Sequence, residues 1–284
     1  MAFTTLISTE VLQANLHQPD RVIFDCRSSL VDHNAGKEAY QKGHIPQASY
    51  CHLDDDLSSR VTPHTGRHPL PDFKQLSEKL GNRGVGPNTQ VVAYDDAGGA
   101  YAVRLWWQLR TFGHEKVAVL DGGIPQWIAE GKALTQDIRQ PSPQTFTPRV
   151  DTRAWLETQE VFENLADKSF KILDARTPER FRGESEPIDP VAGRIPGSLN
   201  RPFQANLNEQ GLFHSPQKLH DQFASILQQV PENKAENVVH LCGSGVTACH
   251  NQLAMEIAGL SGSKLYIGSW SEWITDPQRP IATG

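Results

Sequence analysis

The chain has little of several things, and each shortage excludes something. Its 284 residues contain only four cysteines, Cys26, Cys51, Cys242 and Cys249, widely spread and with no Cys-x-x-Cys pair. That spacing supports neither a zinc site nor a disulfide framework, so no metal and no cofactor is expected. Positive charge is not in excess: 27 Lys and Arg stand against 33 Asp and Glu, a formal net charge of −6. The basic stripe of a nucleic-acid binder is missing, and nucleic acid is not expected as a partner. No apolar run approaches the ~18–20 residues that a membrane span needs, so no membrane is expected either. The first stretch, MAFTTLISTEVLQANL, lacks the basic start and the apolar block of about 7–15 residues of a secretory signal. A reducing cytoplasmic compartment is the expectation, where a thiol can be kept for reactivity.

What the chain has is a repeat. VIFDCR (Val22–Arg27) returns as KILDAR (Lys171–Arg176), with Asp25 and Asp174 149 residues apart. GHIP (Gly43–Pro46) returns as GRIP (Gly193–Pro196), 150 residues on. VVAYDD (Val91–Asp96) returns as VVHLCG (Val238–Gly243) after 147, and DGGIPQW ending at Trp127 returns as IGSWSEW ending at Trp273 after 146. Ordered matches at a nearly constant offset indicate a duplicated domain. The expected division is residues 1–133 for one copy, 134–150 for a Pro-, Gln- and Thr-rich linker, and 151–284 for the other.

Within each copy, short Val/Ile/Leu-rich runs alternate with segments of helical period, such as 71–84 and 215–230. In the second of these, Leu219, Phe223, Ile226, Leu227 and Val230 share a helical face, and Ser215-Pro216 makes a good N-cap and first position. The run RLWWQLRTFGH (Arg104–His114) has helical spacing and is expected to pack the first copy. Buried strands separated by helices imply an α/β fold, each copy a mostly parallel sheet flanked by helices. Ligands in such folds sit at the carboxyl ends of the strands.

The stretch VVHLCGSGVTACHNQLA (Val238–Ala254) is placed there. Val238–Leu241 reads as a strand, Thr247–Ala258 as a helix stopped by Gly259, with Leu253, Ile257 and Leu260 marking its buried face. Between them, Cys242-Gly243-Ser244-Gly245-Val246-Thr247 can curl so that several N–H groups point inward, in front of a helix. A negatively charged sulfur at that focus is favoured, and the hydroxyls of Ser244 and Thr247 can add donors. The bland reading is a buried cysteine before a glycine-rich turn. Against it, the corresponding residue of the first copy is Asp95, so only one copy carries a thiol there. A cysteine phosphatase loop, C-x5-R, is excluded because the sixth residue after Cys242 is Ala248. His240 and Cys249 read as packed residues, and the Asp95–Asp96 pair as part of a silent loop.

These motifs together resemble the tandem-domain rhodanese-type sulfurtransferases, with a silent first copy and a catalytic second one. The loop CGSGVTA is similar to that of the 3-mercaptopyruvate branch, since it lacks the basic residues of the thiosulfate branch. The resemblance implies that Cys242 attacks the sulfur of a small-molecule donor and forms a persulfide. The outer sulfur then passes to cyanide, a thiol or reduced thioredoxin, with the amides of Gly243, Gly245, Val246 and Thr247 around it. It further implies that Arg180, in ERFRG, grips the donor's anionic group, as a guanidinium fork suits. A second substrate arginine belongs where Ile188 stands, with Arg182 or Arg194 as stand-ins. It implies a Ser-His-Asp relay of Ser244, His68 (in GRHPLPD) and Asp54 (in CHLDDDL), the aspartate having Asp55 and Asp56 as neighbours. Thiosulfate is the alternative donor. A reading of another class is a tandem module that docks a partner and only carries sulfur.

Overall fold

The structure is a computed structural model that describes residues 2–284. The chain forms two compact units. One comprises the chain up to Ser59, Leu70–Asp151 and Glu209–Leu212; the other comprises Arg60–Pro69, Thr152–Asn208 and Phe213–Gly284. The ten residues Arg60–Pro69 thus lie in the first repeat by sequence and in the second unit by fold.

The first unit carries strands β1 (Leu6–Ile7), β2 (Arg21–Asp25), β3 (Ala48–Tyr50), β4 (Gln90–Tyr94) and β5 (Val117–Leu120). Its helices are α1 (Thr9–Ala14), α2 (Ala35–Lys42), α3 (Phe73–Asn82), α4 (Ala102–Thr111) and α5 (Gly123–Ala129). The strands form one sheet in the order β1-β5-β4-β2-β3, every pair parallel. Central strands β2 and β4 are buried along their whole length, as a sheet covered on both faces requires. Ile23, Val92, Ile124 and Trp127 belong to one core face, while α4 lies against β4 and β5 with Trp106 and Trp107 buried, as the aromatic run predicts.

The second unit repeats this plan with β6 (Trp155–Leu156), β7 (Lys171–Asp174), β8 (Leu199–Asn200), β9 (Val238–Leu241) and β10 (Lys264–Tyr266). Its helices are α6 (Thr158–Asp167), α7 (Pro178–Arg182), α8 (Pro216–Leu227), α9 (Ala248–Ile257) and α10 (Ser269–Trp273). The parallel sheet has the order β6-β10-β9-β7-β8, the first order with every number raised by five. Ser215 caps α8, its Oγ accepting from Lys218 N at 3.3 Å, with Pro216 in the first turn. The helix ends at Leu227, short of the expected Val230, because the chain turns there and buries Val230.

Helix α9 corrects one expectation. Every residue from Ala248 to Met255 is buried, whereas Ile257 and Leu260 are only half-buried. It is packed all round rather than on one stripe, which a helix of Ala, Cys, Asn and Leu in a two-sided α/β layer can be.

The repeated Asp-x-Arg motif has the same structure twice. Asp25 and Arg27 are joined by a two-pronged ion pair (Nη2–Oδ2 2.6 Å), and Arg27 also donates to Gly43 O. Asp174 and Arg176 do the same at 2.7 Å, with Arg176 donating to Gly193 O. In each unit a buried, fully paired charge ties the carboxyl end of a central strand to the GHIP or GRIP turn.

Candidate active site

β9 delivers Cys242 to the carboxyl edge of the second sheet, immediately beyond Leu241. The residue is buried, 2% exposed, and its main chain is held on both sides. Its N–H donates to Ser269 Oγ at 3.2 Å and its carbonyl accepts from Trp270 N at 3.0 Å. The next carbonyl, that of Gly243, accepts from Ser271 N at 2.8 Å. The loop then turns through Gly245, whose φ of 76° is left-handed and suits glycine, and α9 begins at Ala248. Cys249 is core, as expected, and its thiol donates to Gly245 O at 3.4 Å. Ser269 has a φ of 52°, a conformation that costs a non-glycine residue about 1 kcal/mol; its counterpart in the first repeat is Gly123, at 58°.

The corresponding loop of the first unit is occupied from within. Asp95 Oδ1 accepts from Ala97 N and Gly99 N, and Oδ2 from Tyr101 N and Ala102 N, all at 2.8 Å. Its left-handed Gly98, φ 66°, stands where Gly245 stands in the second loop. A loop of this shape therefore gathers amides around one anion.

Two guanidinium groups lie over the Cys242 loop. A Cβ added to Gly243 would meet Arg67 Nη2 at 2.7 Å and Arg180 Nη2 at 3.5 Å. Arg180, in the ERFRG motif, comes from α7. Its Nε and Nη2 bind Glu186 (Nη2–Oε1 2.7 Å), and Nη2 also reaches Asp189 Oδ2 at 3.1 Å. Arg67 Nη1 pairs with the other oxygen of Asp189. Burial holds the Arg67 guanidinium below its ordinary range, while Cys242 pulls it back up and Arg180 pushes it down. Glu186 accepts in addition from the Ile188 and Asp189 amides, both at 3.1 Å, so the acids that orient the arginines are themselves fixed.

The second cation is thus Arg67, which counting along the sequence does not find. Ile188 is 39% exposed. Neither proposed stand-in replaces it. Arg182 pairs with Glu184 at 2.7 Å on the surface, and Arg194 stacks on Phe181 with its main chain bridged to Ala282. The signal was local all the same: Arg67 is the residue before His68, in the same GRHP motif.

His68 is buried, and its Nδ1 shares a 2.7 Å hydrogen bond with Ser244 Oγ. The second unit thereby brings Cys242, Ser244, His68 and Arg180 into one neighbourhood. Asp54 belongs to the first unit. Its carboxylate lies 3.9 Å from His33 Nε2, and its N–H donates to His52 Nδ1 at 3.0 Å. His33, His52 and Asp54 offer atoms within 4.8 Å of one another, but both His52 nitrogens are used, Nδ1 by two amides and Nε2 by His33 O. His240, in β9, is completely buried with no partner for either ring nitrogen among the described residues, and burial pushes its pKa down to about 3. It is packed, as expected, and the burial keeps it neutral.

Comparison with known proteins agrees with the duplicated fold. The rhodanese-like domain model matches residues 8–130 and again 157–276. A probable 3-mercaptopyruvate sulfurtransferase of Pseudomonas aeruginosa is 44% identical over the full length of both chains. The thiosulfate sulfurtransferase of Rattus norvegicus is 33% identical over 99% of this chain and 96% of its own. Among solved structures, 3-mercaptopyruvate sulfurtransferase from Leishmania major superposes with a TM-score of 0.82 at 27% identity, covering 95% of this chain and 74% of that one. A duplicated parallel α/β unit, one copy with its loop filled by a carboxylate and the other presenting a thiol under two arginines, is the setting in which these matches fall: the chain belongs to the rhodanese-like family and is a tandem-domain sulfurtransferase.

Proposed function

We propose that the chain transfers sulfur from 3-mercaptopyruvate, through a persulfide on Cys242, to cyanide, a small thiol or reduced thioredoxin. The observation that carries this reading is the 2.7 Å bond between His68 and Ser244, two residues from Cys242. The Cys242 thiolate attacks the donor's sulfur, the carbon–sulfur bond breaks, and its electron pair stays on carbon as the enolate of pyruvate. The proton carried by that sulfur must then reach the carbon, which leaves pyruvate and a persulfide anion. Ser244 and His68 supply groups that can hand such a proton across. An acceptor takes the outer sulfur and the thiolate returns.

Arg67 and Arg180 hold the donor's carboxylate, in exchange for part of their pairing with Asp189 and Glu186. The amides of the loop, those of Gly243, Gly245, Val246 and Thr247, receive the sulfur anion, as the family resemblance implies. The silent copy spans residues 1–133, the linker 134–150 and the catalytic copy 151–284, the last supplemented by Arg60–Pro69. No described helix is long and apolar enough to cross a membrane, and a reducing cytoplasm suits a cycle that needs a free thiol.

Thiosulfate is the second reading, favoured by the paired guanidiniums, which also suit a tetrahedral dianion. Sulfite leaves with its electron pair and needs no proton on carbon. Turnover of both donors, with cyanide as acceptor, separates the two. Mercaptopyruvate should show the larger kcat/KM, and His68→Ala should depress it by at least tenfold while sparing thiosulfate. Equal losses on both donors would remove the relay from the account.

A further inference from the structure

Five bonds converge on the first turn of α10. Three hold the Cys242 loop: Cys242 N to Ser269 Oγ, Trp270 N to Cys242 O, and Ser271 N to Gly243 O. Two hold the Arg60–Pro69 segment: Gly66 N donates to Glu272 Oε2 at 3.3 Å, and Arg67 N donates to Ser271 Oγ at 3.0 Å. Ser271 alone grips both, the loop through its N–H and the segment through its hydroxyl. It is buried, and the segment lies flush against it: a Cβ on Gly66 would come within 2.9 Å of Ser271 Oγ and 2.6 Å of Gly268 O.

We propose that Ser271 is a positioning residue of the sulfur-transfer site, setting the distance between the Cys242 loop and the segment that carries Arg67 and His68. The proposal rests on the function proposed above. Arg67 has a long side chain with several rotatable bonds, so fixing its main chain directs the guanidinium onto Gly243 and Asp189. The same anchor sets the approach of the neighbouring His68 to Ser244.

The repeat supplies an independent observation. At the offset of 146 that pairs Trp127 with Trp273, Ser271 corresponds to Pro125. Proline has neither an amide hydrogen nor a hydroxyl, so the first copy cannot make either bond. The double grip exists only in the copy with the thiol.

Ser271→Ala removes the acceptor and leaves the N–H to Gly243. Two readouts follow on the full-length protein. Hydrogen exchange at the Arg67 amide should accelerate about fivefold, as loss of one neutral hydrogen bond allows. The donor KM should rise by a similar factor, about fivefold, with kcat within about twofold. Ser271→Thr should restore both, and Ser271→Val, equal in shape to threonine without the hydroxyl, should behave like alanine, which keeps the test valid if the smaller side chain destabilises the fold. An unchanged Arg67 amide, or a faster amide with unchanged KM, would overturn the proposal. The exchange arm needs no donor. A wild type that turns over neither donor would overturn the sulfur-transfer reading, while Arg67 exchange in Ser271→Ala still decides whether the clamp exists.

Discussion

Two loops follow equivalent strands in the two sheets, and they solve the same electrostatic problem differently. After β4, the carboxylate of Asp95 takes four backbone amides, each at 2.8 Å, and the loop is satisfied. After β9, a related loop carries Cys242; it keeps a left-handed glycine, Gly245, at the place of Gly98 but has Val246 where the first loop has the left-handed Gly99. One copy closes its anion hole with a permanent, built-in charge. In the function proposed above, the other leaves it to a sulfur whose charge and substituents change during the reaction. The difference teaches that the fold's contribution is the hole, and that the residue at one position decides whether it serves stability or chemistry. Around that position the second unit adds Arg180, Ser271 and, from the segment it borrows from the first repeat, Arg67, while the strand leading in carries His240 in place of Ala93.

The largest expected effect comes from removing the sulfur. Cys242→Ser should lower turnover by at least a thousandfold, and adding Asp95→Cys to that variant should not restore it. A thiol in the first loop would have amides but no arginine counterpart, since the positions matching Arg180 are Leu30 or Val31. Restoration would break the comparison outright.

Next is Asp95→Ala. It strands four amides, those of Gly99 and Ala102 in buried bonds, and should destabilise the first unit by about 3 kcal/mol, measured by urea unfolding. A cost below about 1 kcal/mol would mean that the carboxylate is not what satisfies the loop.

His240 gives a pH test of the two strands. Its folded pKa is near 3 because of burial, while an unfolded histidine titrates at about 6.5. Between those values the unfolded chain binds a proton that the folded one refuses, so stability falls as pH drops below about 6.5. At pH 5 the loss is about 2 kcal/mol, and His240→Leu should remove it. Parallel pH profiles of the two proteins' unfolding free energies would contradict this.

Arg67→Ala should raise the donor KM about tenfold, as loss of a charge-assisted contact implies. Ile188→Arg should change KM by less than about twofold, because Ile188 is partly exposed and Arg67 already supplies the second cation. An improvement of tenfold would return the second anchor to position 188.

Most of the fold was legible, because a repeat at constant offset transfers each inference from one copy to the other. Cys242 stood out by the same logic, as the thiol opposite Asp95, and Arg180 by its motif. Arg67 was hidden for a physical reason. Its ion pair with Asp189 spans 122 residues, and the segment bearing it folds with the unit to which it does not belong by sequence. Counting back from GRIPG can find a missing arginine but cannot see one that arrives from elsewhere in the chain. Glu186 and Asp189 were visible in SEPIDP only as ordinary acids; their role depends on both arginines being present. Ser269 had a legible signal, a serine where the first copy has Gly123, but its left-handed backbone appears only in the structure. The uniform burial of α9 was missed because Leu253, Ile257 and Leu260 suggest a single stripe, while the small and polar residues around them give no sign that the other faces are packed as well.

The most direct test of the account is mass spectrometry of the intact protein after exposure to 3-mercaptopyruvate without an acceptor, followed by peptide mapping. The account predicts one added sulfur, located on Cys242, absent from Cys242→Ser and lost when cyanide is added. An unmodified wild-type protein, or an added sulfur that persists in Cys242→Ser, would contradict it.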